Sequence, residues 1–269
     1  MQIGLIAGSG QFPIIFCKRA IAEGYRVYVA AYVNEADPML ETLAAGIEWL
    51  HLGQLRRLIT FFKKHRVTET VMMGAIQKTS IFRDVKPDIK AISLFAAMHH
   101  THDDNILRAF ANTLEKNGIR VRPSTFLLPD MLAEKGCWTK RKPSRAEKKD
   151  IDVGWQVAKE IGRLDIGQCV VVGGGSILAV EAIEGTDAAI QRGGSFGKGN
   201  SVVIKVCKPI QDERFDVPAV GLQTIQTMIE SGVKLLVVEA GRAVVFDKAE
   251  MVSLADKAGI SIVAMERPE

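Results

Sequence analysis

The feature that most constrains the fold is an alternation of short apolar runs with segments of helical period in the first half of the chain. The runs at residues 2–7 and 26–32 have the composition of buried strands, and the segment 12–23 between them has the period of a helix. A strand, a helix and a strand in succession are typical of a parallel sheet flanked by helices. The sequence therefore predicts an α/β domain at the N-terminus.

The same pattern continues along this half of the chain. Further strands are predicted at residues 47–51, 70–74 and 119–121, and further helices at 55–65 and 104–117. Each helix separates two strands, as parallel pairing requires.

A second domain is predicted after a boundary that contains Pro129 and Gly136, because both residues interrupt regular structure. At roughly 100–200 residues per domain, a chain of 269 residues holds two modest domains. We predict a first domain at 1–130, a linker at 131–145 and a second domain at 146–269.

The predicted second domain also mixes strands with helices. Its strands are predicted at 168–172, 177–182, 201–207, 235–239, 243–246 and 261–264, and its helices at 146–162, 222–231 and 248–258. The first two strands form a hairpin joined through three glycines, 173–175. The glycine-rich stretch 193–199 is predicted to be a loop.

Composition and charge exclude several classes of protein. The net charge of +4 is too small for a protein that binds duplex nucleic acid. No apolar run approaches the ~20 residues that cross a bilayer, and the first residues lack the features of a signal peptide. The protein is therefore expected to act in the cytoplasm, with reduced and mostly buried thiols at Cys17, Cys137, Cys169 and Cys207.

Basic residues cluster once, within residues 140–149. The cluster consists of Lys140, Arg141, Lys142, Arg145, Lys148 and Lys149. Since Glu147 and Asp150 dilute it, a solvated linker is one interpretation. The alternative is a surface that meets anionic lipid or a phosphate-bearing ligand.

A first candidate site is the glycine turn formed by Gly8, Ser9, Gly10 and Gln11, between the first strand and the first helix. Glycine lets the backbone approach a ligand, and the N–H groups at a helix start favour phosphate. Pro13 stands where the dinucleotide fingerprint has its last glycine, so that fingerprint is absent. The turn predicts nucleotide or phosphate binding, with a purely structural tight turn as the alternative.

A second candidate site is a cluster of three histidines and two aspartates, His99, His100, His102, Asp103 and Asp104. One interpretation makes an aspartate the cap of the following helix, with the histidines on the surface. The others are an aspartate that contacts substrate or Mg²⁺, and a metal ion bound by the histidines.

A third candidate site is the loop 208–218, which combines Lys208 and Arg214 with the carboxylates of Asp212, Glu213 and Asp216. Such a mixture can hold Mg²⁺, neutralise phosphate and orient water. In an extended conformation, Asp212, Arg214 and Asp216 would point to one side. A solvated charged loop is the alternative.

A weaker candidate is the acidic turn 184–187 that follows an apolar strand. Thr186 and Asp187 are typical of the start of a helix, and a ligand site is the alternative.

Five segments, taken together and in order, resemble one family. They are LIAGSGQFP, HDD, KEIGRLDIGQ, LAVEAIEGTDAAI and KPIQDERFDVPAVG. Over nearly the whole chain, they are similar to the bacterial UDP-2,3-diacylglucosamine pyrophosphatases of the LpxI type. The resemblance implies a Rossmann-like N-terminal domain, a distinct C-terminal α/β domain and a ligand site in the cleft between them.

The resemblance also implies a reaction. Members of this family hydrolyse the pyrophosphate bond of UDP-2,3-diacylglucosamine, with Mg²⁺, to 2,3-diacylglucosamine 1-phosphate (lipid X) and UMP in lipid A biosynthesis. The partner would be this UDP-linked lipid at the inner face of the inner membrane, in peripheral contact, and no nucleic acid is expected. A homodimer is one candidate oligomeric state.

The catalytic aspartate of the family lies in an RxDxP motif, which falls here on Asp216. From the resemblance we expect support from Arg214, Asp212 and Lys208. The expected substrate-binding residues are Gly8, Ser9, Gly10, Gln11, Gly74, Asp103, Asp104, Thr186, Asp187 and Gln211. The expected metal ligands are Asp216 and Asp104.

Three other functions compete with this interpretation. They are a non-catalytic protein that binds a UDP-sugar lipid, an oxidoreductase with a nicotinamide or flavin cofactor, and a zinc hydrolase that uses His102. The missing third glycine of the fingerprint argues against the oxidoreductase.

Overall fold

The structure is a computed structural model that describes residues 1–76, 88, 103–209 and 211–266. The chain divides into two compact units. The first unit comprises Met1–Pro129 and Asp212–Asp216, and the second comprises Asp130–Gln211 and Val217–Glu269. Both units are α/β, which confirms the predicted fold class.

Parallel strands alternate with helices in the first unit. The strands are β1 (Gln2–Ala7), β2 (Arg26–Tyr32), β3 (Gly46–Leu50), β4 (Glu69–Met73) and β5 (Arg120–Val121). The helices are α1 (Phe12–Ala22), α2 (Leu40–Leu43), α3 (Leu55–Lys64) and α4 (Asp103–Lys116). The strand order is β3-β2-β1-β4-β5, and neighbouring strands run parallel. The Rossmann-like sheet is confirmed, and among the helices that the structure describes in this unit only the short α2 was not predicted.

The core of the first unit lies against the central strands. Leu5 and Ile6 of β1 point to opposite faces of the sheet and both are buried, as expected for a strand covered on both faces. Leu58 and Phe62, one helical turn apart in α3, are buried in the same unit. Burial on both faces agrees with the place of β1 in the middle of the strand order.

The second unit contains a separate, mixed sheet. Its strands are β6 (Gly136–Cys137), β7 (Cys169–Gly173), β8 (Ser176–Val180), β9 (Val202–Lys205), β11 (Leu235–Glu239) and β13 (Ser261–Met265), in the order β6-β13-β11-β9-β7-β8. The pairs β9–β11 and β11–β13 are parallel, and the other pairs are antiparallel. A separate parallel pair is formed by β10 (Ala219–Val220) and β12 (Val244–Val245). The helices are α5 (Arg145–Arg163), α6 (Thr186–Gly197), α7 (Leu222–Glu230) and α8 (Lys248–Ala258).

Helices cover both faces of this sheet. Trp155 of α5 packs with Ile204 on one face. On the other face, Ile190 of α6 and Met228 of α7 pack with Val203 and its neighbours. Successive residues of β9 thus serve opposite cores, as the alternation along a strand requires.

The prediction of a glycine-rich loop at 193–199 was wrong, because α6 continues to Gly197. A glycine inside a helix destabilises it by about 1 kcal/mol relative to alanine. Here close packing against neighbouring elements requires glycine in spite of that cost. A Cβ atom at Gly193 would lie 2.4 Å from Cβ of Val171, and one at Gly194 would lie 2.5 Å from the carbonyl oxygen of Ser231. The glycines therefore allow the helix to pack closely on its neighbours.

Helix α5 begins with a capping box. The Ser144 hydroxyl accepts the N–H of Glu147 at 3.2 Å, and the Glu147 carboxylate accepts the N–H of Ser144 at 2.7 Å. Arg141 adds a hydrogen bond to Glu147 at 2.7 Å. Burial alone would raise the pKa of Glu147, but the hydrogen bonds from Arg141 and Ser144 outweigh burial and lower that pKa.

Replacing Glu147 by Gln tests this arrangement through the pH dependence of stability. Gln keeps the capping geometry and removes the charge, so we expect a loss of about 1.5–3 kcal/mol at pH 7. A carboxylate with a lowered pKa stabilises the fold above its ordinary pKa of 4.5, and this contribution disappears as pH falls through the lower folded value. Urea unfolding should therefore show the largest difference between variant and wild type at neutral pH and a small one near pH 3.

Glu160→Gln is the matched control, because Glu160 is exposed and pairs with Arg163 on the same helix. We expect a change below about 0.5 kcal/mol. The role of the Glu147 charge would be contradicted if Glu147→Gln lowered the free energy of unfolding by the same amount at pH 7 and near pH 3.

The four cysteines are free thiols, as predicted. Cys17, Cys169 and Cys207 are buried, and Cys137 is half-buried. Burial raises the pKa of Cys17 to about 11 and that of Cys169 to about 12. Among the described helices, none combines the length and the apolarity that a bilayer crossing needs.

Candidate active site

The segment that carries Asp216 is a turn within the first unit. The N–H groups of Asp216 and Phe215 both donate to the carbonyl oxygen of Asp212, at 3.1 and 3.2 Å. Phe215 packs against the core of this unit. The segment is therefore not extended, and the one-sided arrangement expected of an extended chain does not describe it.

Contacts with the loop after β5 and with α4 fix the turn in the first unit. The Ser124 N–H donates to the carbonyl oxygen of Glu213 at 2.9 Å. The Arg214 guanidinium reaches Glu115 of α4, with 3.1 Å between Nη1 and Oε1. These partners lie far from the turn along the chain, so no local sequence pattern pointed to them.

Arg214 holds Asp212 through a two-pronged ion pair. Nε lies 2.9 Å from Oδ1 and Nη2 lies 2.8 Å from Oδ2. The hydrogen bond from Arg214 lowers the pKa of Asp212, and the same bond raises the pKa of Arg214. The predicted supporting residues Asp212 and Arg214 are thus bonded to each other.

Lys208 and Gln211 lie in the second unit, after β9. Lys208 Nζ contacts Asp165 Oδ1 at 2.7 Å. The side-chain oxygen of Gln211 accepts the Lys208 N–H at 2.7 Å and the Cys207 thiol at 2.8 Å. Gln211 is buried, and these bonds fix the path of the chain after the strand.

A second ion pair lies at the carboxyl end of β11. Lys159 Nζ contacts Glu239 Oε2 at 2.6 Å, and the Cys207 N–H donates to the same oxygen at 2.8 Å. This pair joins α5, β11 and the chain after β9 at one edge of the sheet. The carboxyl ends of parallel strands are where α/β folds bind ligands.

Thr186 and Asp187 begin helix α6, which confirms the prediction of a helix start. The Thr186 hydroxyl donates to Glu181 Oε1 at 2.8 Å. The second oxygen of Glu181 accepts the Gln168 N–H at 3.1 Å. Glu181 therefore ties the start of α6 to the start of β7.

Lys205, the last residue of β9, is a buried cation that the sequence interpretation missed. Only 8% of Lys205 is exposed, and its Nζ donates to the carbonyl oxygen of Ala219 at 2.8 Å. Within the described parts of the chain, no carboxylate forms an ion pair with it. A lysine at the end of a fully apolar strand was the available signal.

The glycine turn of the first unit lies at the carboxyl ends of β1 and β4, where the strand order reverses direction. Ser9 and Ala75 exchange backbone hydrogen bonds of 2.8 and 3.1 Å. Gly74 has φ +88°, and a Cβ atom there would lie 2.6 Å from the Ser9 carbonyl oxygen. In open α/β sheets, ligands usually bind in the crevice at the point where the strand order reverses.

Gly8 and Gly10 play different parts in this turn. A Cβ atom at Gly8 would lie 2.5 Å from the Ala75 carbonyl oxygen, so Gly8 is required for backbone packing. Gly10 has φ +93°, and a Cβ atom there would meet nothing within 4 Å among the described atoms. Gln11 precedes α1 without a side-chain cap, and Pro13 lies in its first turn.

Both halves of the sequence match models of one family. Residues 2–131 match the LpxI N-terminal domain and residues 134–263 match the LpxI C-terminal domain. The chain is also 30% identical to the UDP-2,3-diacylglucosamine pyrophosphatase LpxI of Caulobacter vibrioides, over 100% of this chain and 99% of that protein. The chain belongs to the LpxI family.

Among solved structures, this LpxI chain is similar to the precorrin-6A reductase CobK, with 12% identity and a TM-score of 0.32, over 100% of this chain and 89% of that one. A likeness this slight carries no argument. The family membership expected from the sequence motifs is confirmed by the family models. The domain boundaries at 130 and 145 stay predictions.

The histidine cluster of this LpxI chain is not part of the described structure. His99, His100 and His102 lie outside the described residues. Asp103 and Asp104 begin α4, but their side chains lie outside the description. Capping, substrate contact and metal binding at these positions stay predictions.

Proposed function

We propose that this LpxI-family chain hydrolyses the pyrophosphate bond of UDP-2,3-diacylglucosamine, in lipid A biosynthesis. The products would be 2,3-diacylglucosamine 1-phosphate and UMP. The observation that carries the proposal is the match of the whole chain to a relative whose name states this activity. The RxDxP segment with Asp216, held in a defined turn, supports it.

The reaction sets chemical requirements. The oxygen of water forms a bond to one phosphorus while the bond between the other phosphate and this phosphorus breaks, and a group must accept the proton of water. The charge that develops on the phosphate oxygens must also be neutralised. We propose that the Asp216 carboxylate orients this water and accepts its proton.

We further propose that Mg²⁺ assists the reaction. Within the described residues, no group of three or more His, Cys, Asp or Glu side chains forms a ready site for an ion. Mg²⁺ usually binds to proteins through one or two carboxylates, with substrate phosphates and water as the other ligands. Asp216 and Asp104 are the carboxylates that we propose, and the ion would neutralise diphosphate charge.

Lys205 is our candidate for the protein cation that binds a phosphate of the substrate. Lys208 and Arg214 are bonded to carboxylates, whereas Lys205 donates to a backbone carbonyl. A buried ammonium without an ion pair is costly, and an anionic ligand would offset that cost.

Lys205→Met should therefore weaken substrate binding. Met keeps the unbranched shape and removes the charge, so we expect KM for the UDP-linked lipid to rise by about 10–100-fold. Lys135→Met is the control, because Lys135 is an exposed lysine paired with Glu266. Steady-state kinetics would contradict this role for Lys205 if KM stayed within about twofold of wild type.

The lipid substrate places the reaction beside a membrane, and we propose peripheral contact at the inner face of the inner membrane. Exposed cations at the start of α5 support this contact. They are Lys140, Lys142, Arg145, Lys148 and Lys149. Binding to vesicles of anionic lipid should weaken as salt is raised to ~0.5 M, since screening shortens the reach of these charges.

The proposed function is tested by incubating the purified full chain with UDP-2,3-diacylglucosamine and Mg²⁺. We expect equal amounts of UMP and the diacylated sugar phosphate by mass spectrometry, and ¹⁸O from labelled water will mark the phosphorus that is attacked. A protein that retained the lipid without forming either product would instead be a binding protein. A bound chromophore would favour an oxidoreductase.

A further inference from the structure

We infer that Arg214 is a positioning residue for Asp216 and does not bind the diphosphate of the substrate. The inference rests on the proposed function for the role of Asp216. It contradicts the simpler expectation that an arginine beside the catalytic aspartate neutralises phosphate. Three features of the first unit support it.

The first feature is that carboxylates already occupy the Arg214 guanidinium. Nε and Nη2 bind the two oxygens of Asp212, and Nη1 binds Glu115. Paired, nearly parallel hydrogen bonds of this kind are the geometry in which arginine binds a carboxylate most strongly. Three of the five N–H groups of the guanidinium are therefore in use, and two carboxylates, one of them the partly buried Asp212, already neutralise its charge.

The second feature is that Asp212 binds both Arg214 and Asp216. Its carboxylate accepts the backbone N–H of Arg214 at 3.2 Å as well as the guanidinium. Its carbonyl oxygen accepts the N–H of Asp216 at 3.1 Å. Any movement of Asp212 therefore moves the backbone of Asp216, and Arg214 fixes Asp212.

The third feature is the contact between the turn and helix α4. Arg108 and Glu115 lie seven residues apart on α4, which places them on one face of the helix. Glu115 binds Arg214, and Arg108 Nε lies 3.9 Å from Asp212 Oδ2. Opposite charges thus alternate from the helix into the turn, which fixes the turn in one orientation on the helix.

The effect of Asp212→Asn on KM and kcat distinguishes an Arg214 that binds the diphosphate from an Arg214 that positions Asp216. If Arg214 bound the diphosphate, the loss of the Asp212 charge would release the guanidinium and lower KM. If Arg214 acts through Asp212, the same change loosens the turn and lowers kcat. A positioning residue and its partner should then give similar defects.

The experiment compares Arg214→Gln, Arg214→Lys, Asp212→Asn and the double variant Arg214→Gln/Asp212→Asn. We expect each single variant to lower kcat by about 10–100-fold with KM within about threefold of wild type. The kcat of the double variant should lie within about threefold of the kcat of the less active single variant, because both changes break the same ion pair between Arg214 and Asp212. Lysine should not rescue activity, because it lacks the planar fork.

Arg57→Gln is the matched control, since Arg57 is an exposed arginine of the same unit paired with Glu48. It should retain wild-type kcat and KM. The inference is overturned if Arg214→Gln raises KM more than about tenfold while kcat is kept, or if Asp212→Asn lowers KM.

A second measurement does not depend on activity. Backbone hydrogen exchange in a peptide spanning residues 211–218 should be faster in Arg214→Gln and Asp212→Asn than in wild type, and unchanged in Arg57→Gln. Equal exchange in all four proteins would overturn the inference. If wild-type protein released no UMP, the proposed function would fail, and exchange would still decide whether Arg214 fixes the turn.

Discussion

Asp216→Ala is expected to lower kcat for UMP release at least about a thousandfold, which corresponds to roughly 4 kcal/mol of transition-state stabilisation. The physical reason is that the variant loses the carboxylate proposed to orient water and accept its proton. The backbone N–H of residue 216 still donates to Asp212, so the turn should persist. Substrate should therefore still bind.

The measurement is UMP release under saturating lipid and Mg²⁺, together with mass spectrometry of lipid retained by the purified variant. We expect intact UDP-linked lipid on Asp216→Ala and little on wild type, which consumes it. Asp152→Ala is the control, because Asp152 lies exposed on α5. If Asp216→Ala kept activity within about tenfold of wild type, the catalytic role proposed for Asp216 would be wrong.

Gly74→Ala is expected to destabilise the first unit by about 3 kcal/mol or more, which lowers Tm by about 6–12 °C. A residue with a Cβ atom at a left-handed position costs about 1–2 kcal/mol. The Cβ atom would also lie 2.6 Å from the Ser9 carbonyl oxygen and 2.7 Å from the Gly8 carbonyl carbon. Backbone atoms would have to move apart, and the hydrogen bonds between Ser9 and Ala75 would weaken.

The control for Gly74→Ala separates backbone conformation from crowding. Gly118 has φ +81°, and a Cβ atom there would meet nothing within 4 Å among the described atoms. Gly118→Ala should therefore cost only about 1–2 kcal/mol. If thermal unfolding gave equal losses for both variants, the close approach at Gly74 would not contribute to stability.

Local patterns in the sequence were sufficient for most of the secondary structure. The apolar runs of β1, β2 and β11 fix these strands because each is buried on both faces. The sequence failed at Gly193 and Gly194, where the neighbours Val171 and Ser231 determine the structure. Contacts with residues distant in sequence outweigh helix propensity at such positions.

The candidate site was less predictable for the same reason. Spacing alone did not separate Asp216 from Asp212, and family motifs were needed to choose between them. The partner of Arg214 on α4, Glu115, lies 99 residues earlier. Lys205 was missed because the backbone oxygen that accepts its hydrogen bond belongs to Ala219, 14 residues later in the chain and beyond the strand.

The turn 212–216 completes a unit whose other residues end at Pro129. During synthesis, the ribosome makes residues 130–211 before it makes Phe215, which packs on the first core. The first unit therefore cannot reach its final packing while it alone has emerged, although domains generally fold in the order of their synthesis. A fragment that stops at residue 130 should leave the surface under Phe215 exposed, and it should aggregate unless a peptide carrying residues 211–218 is added.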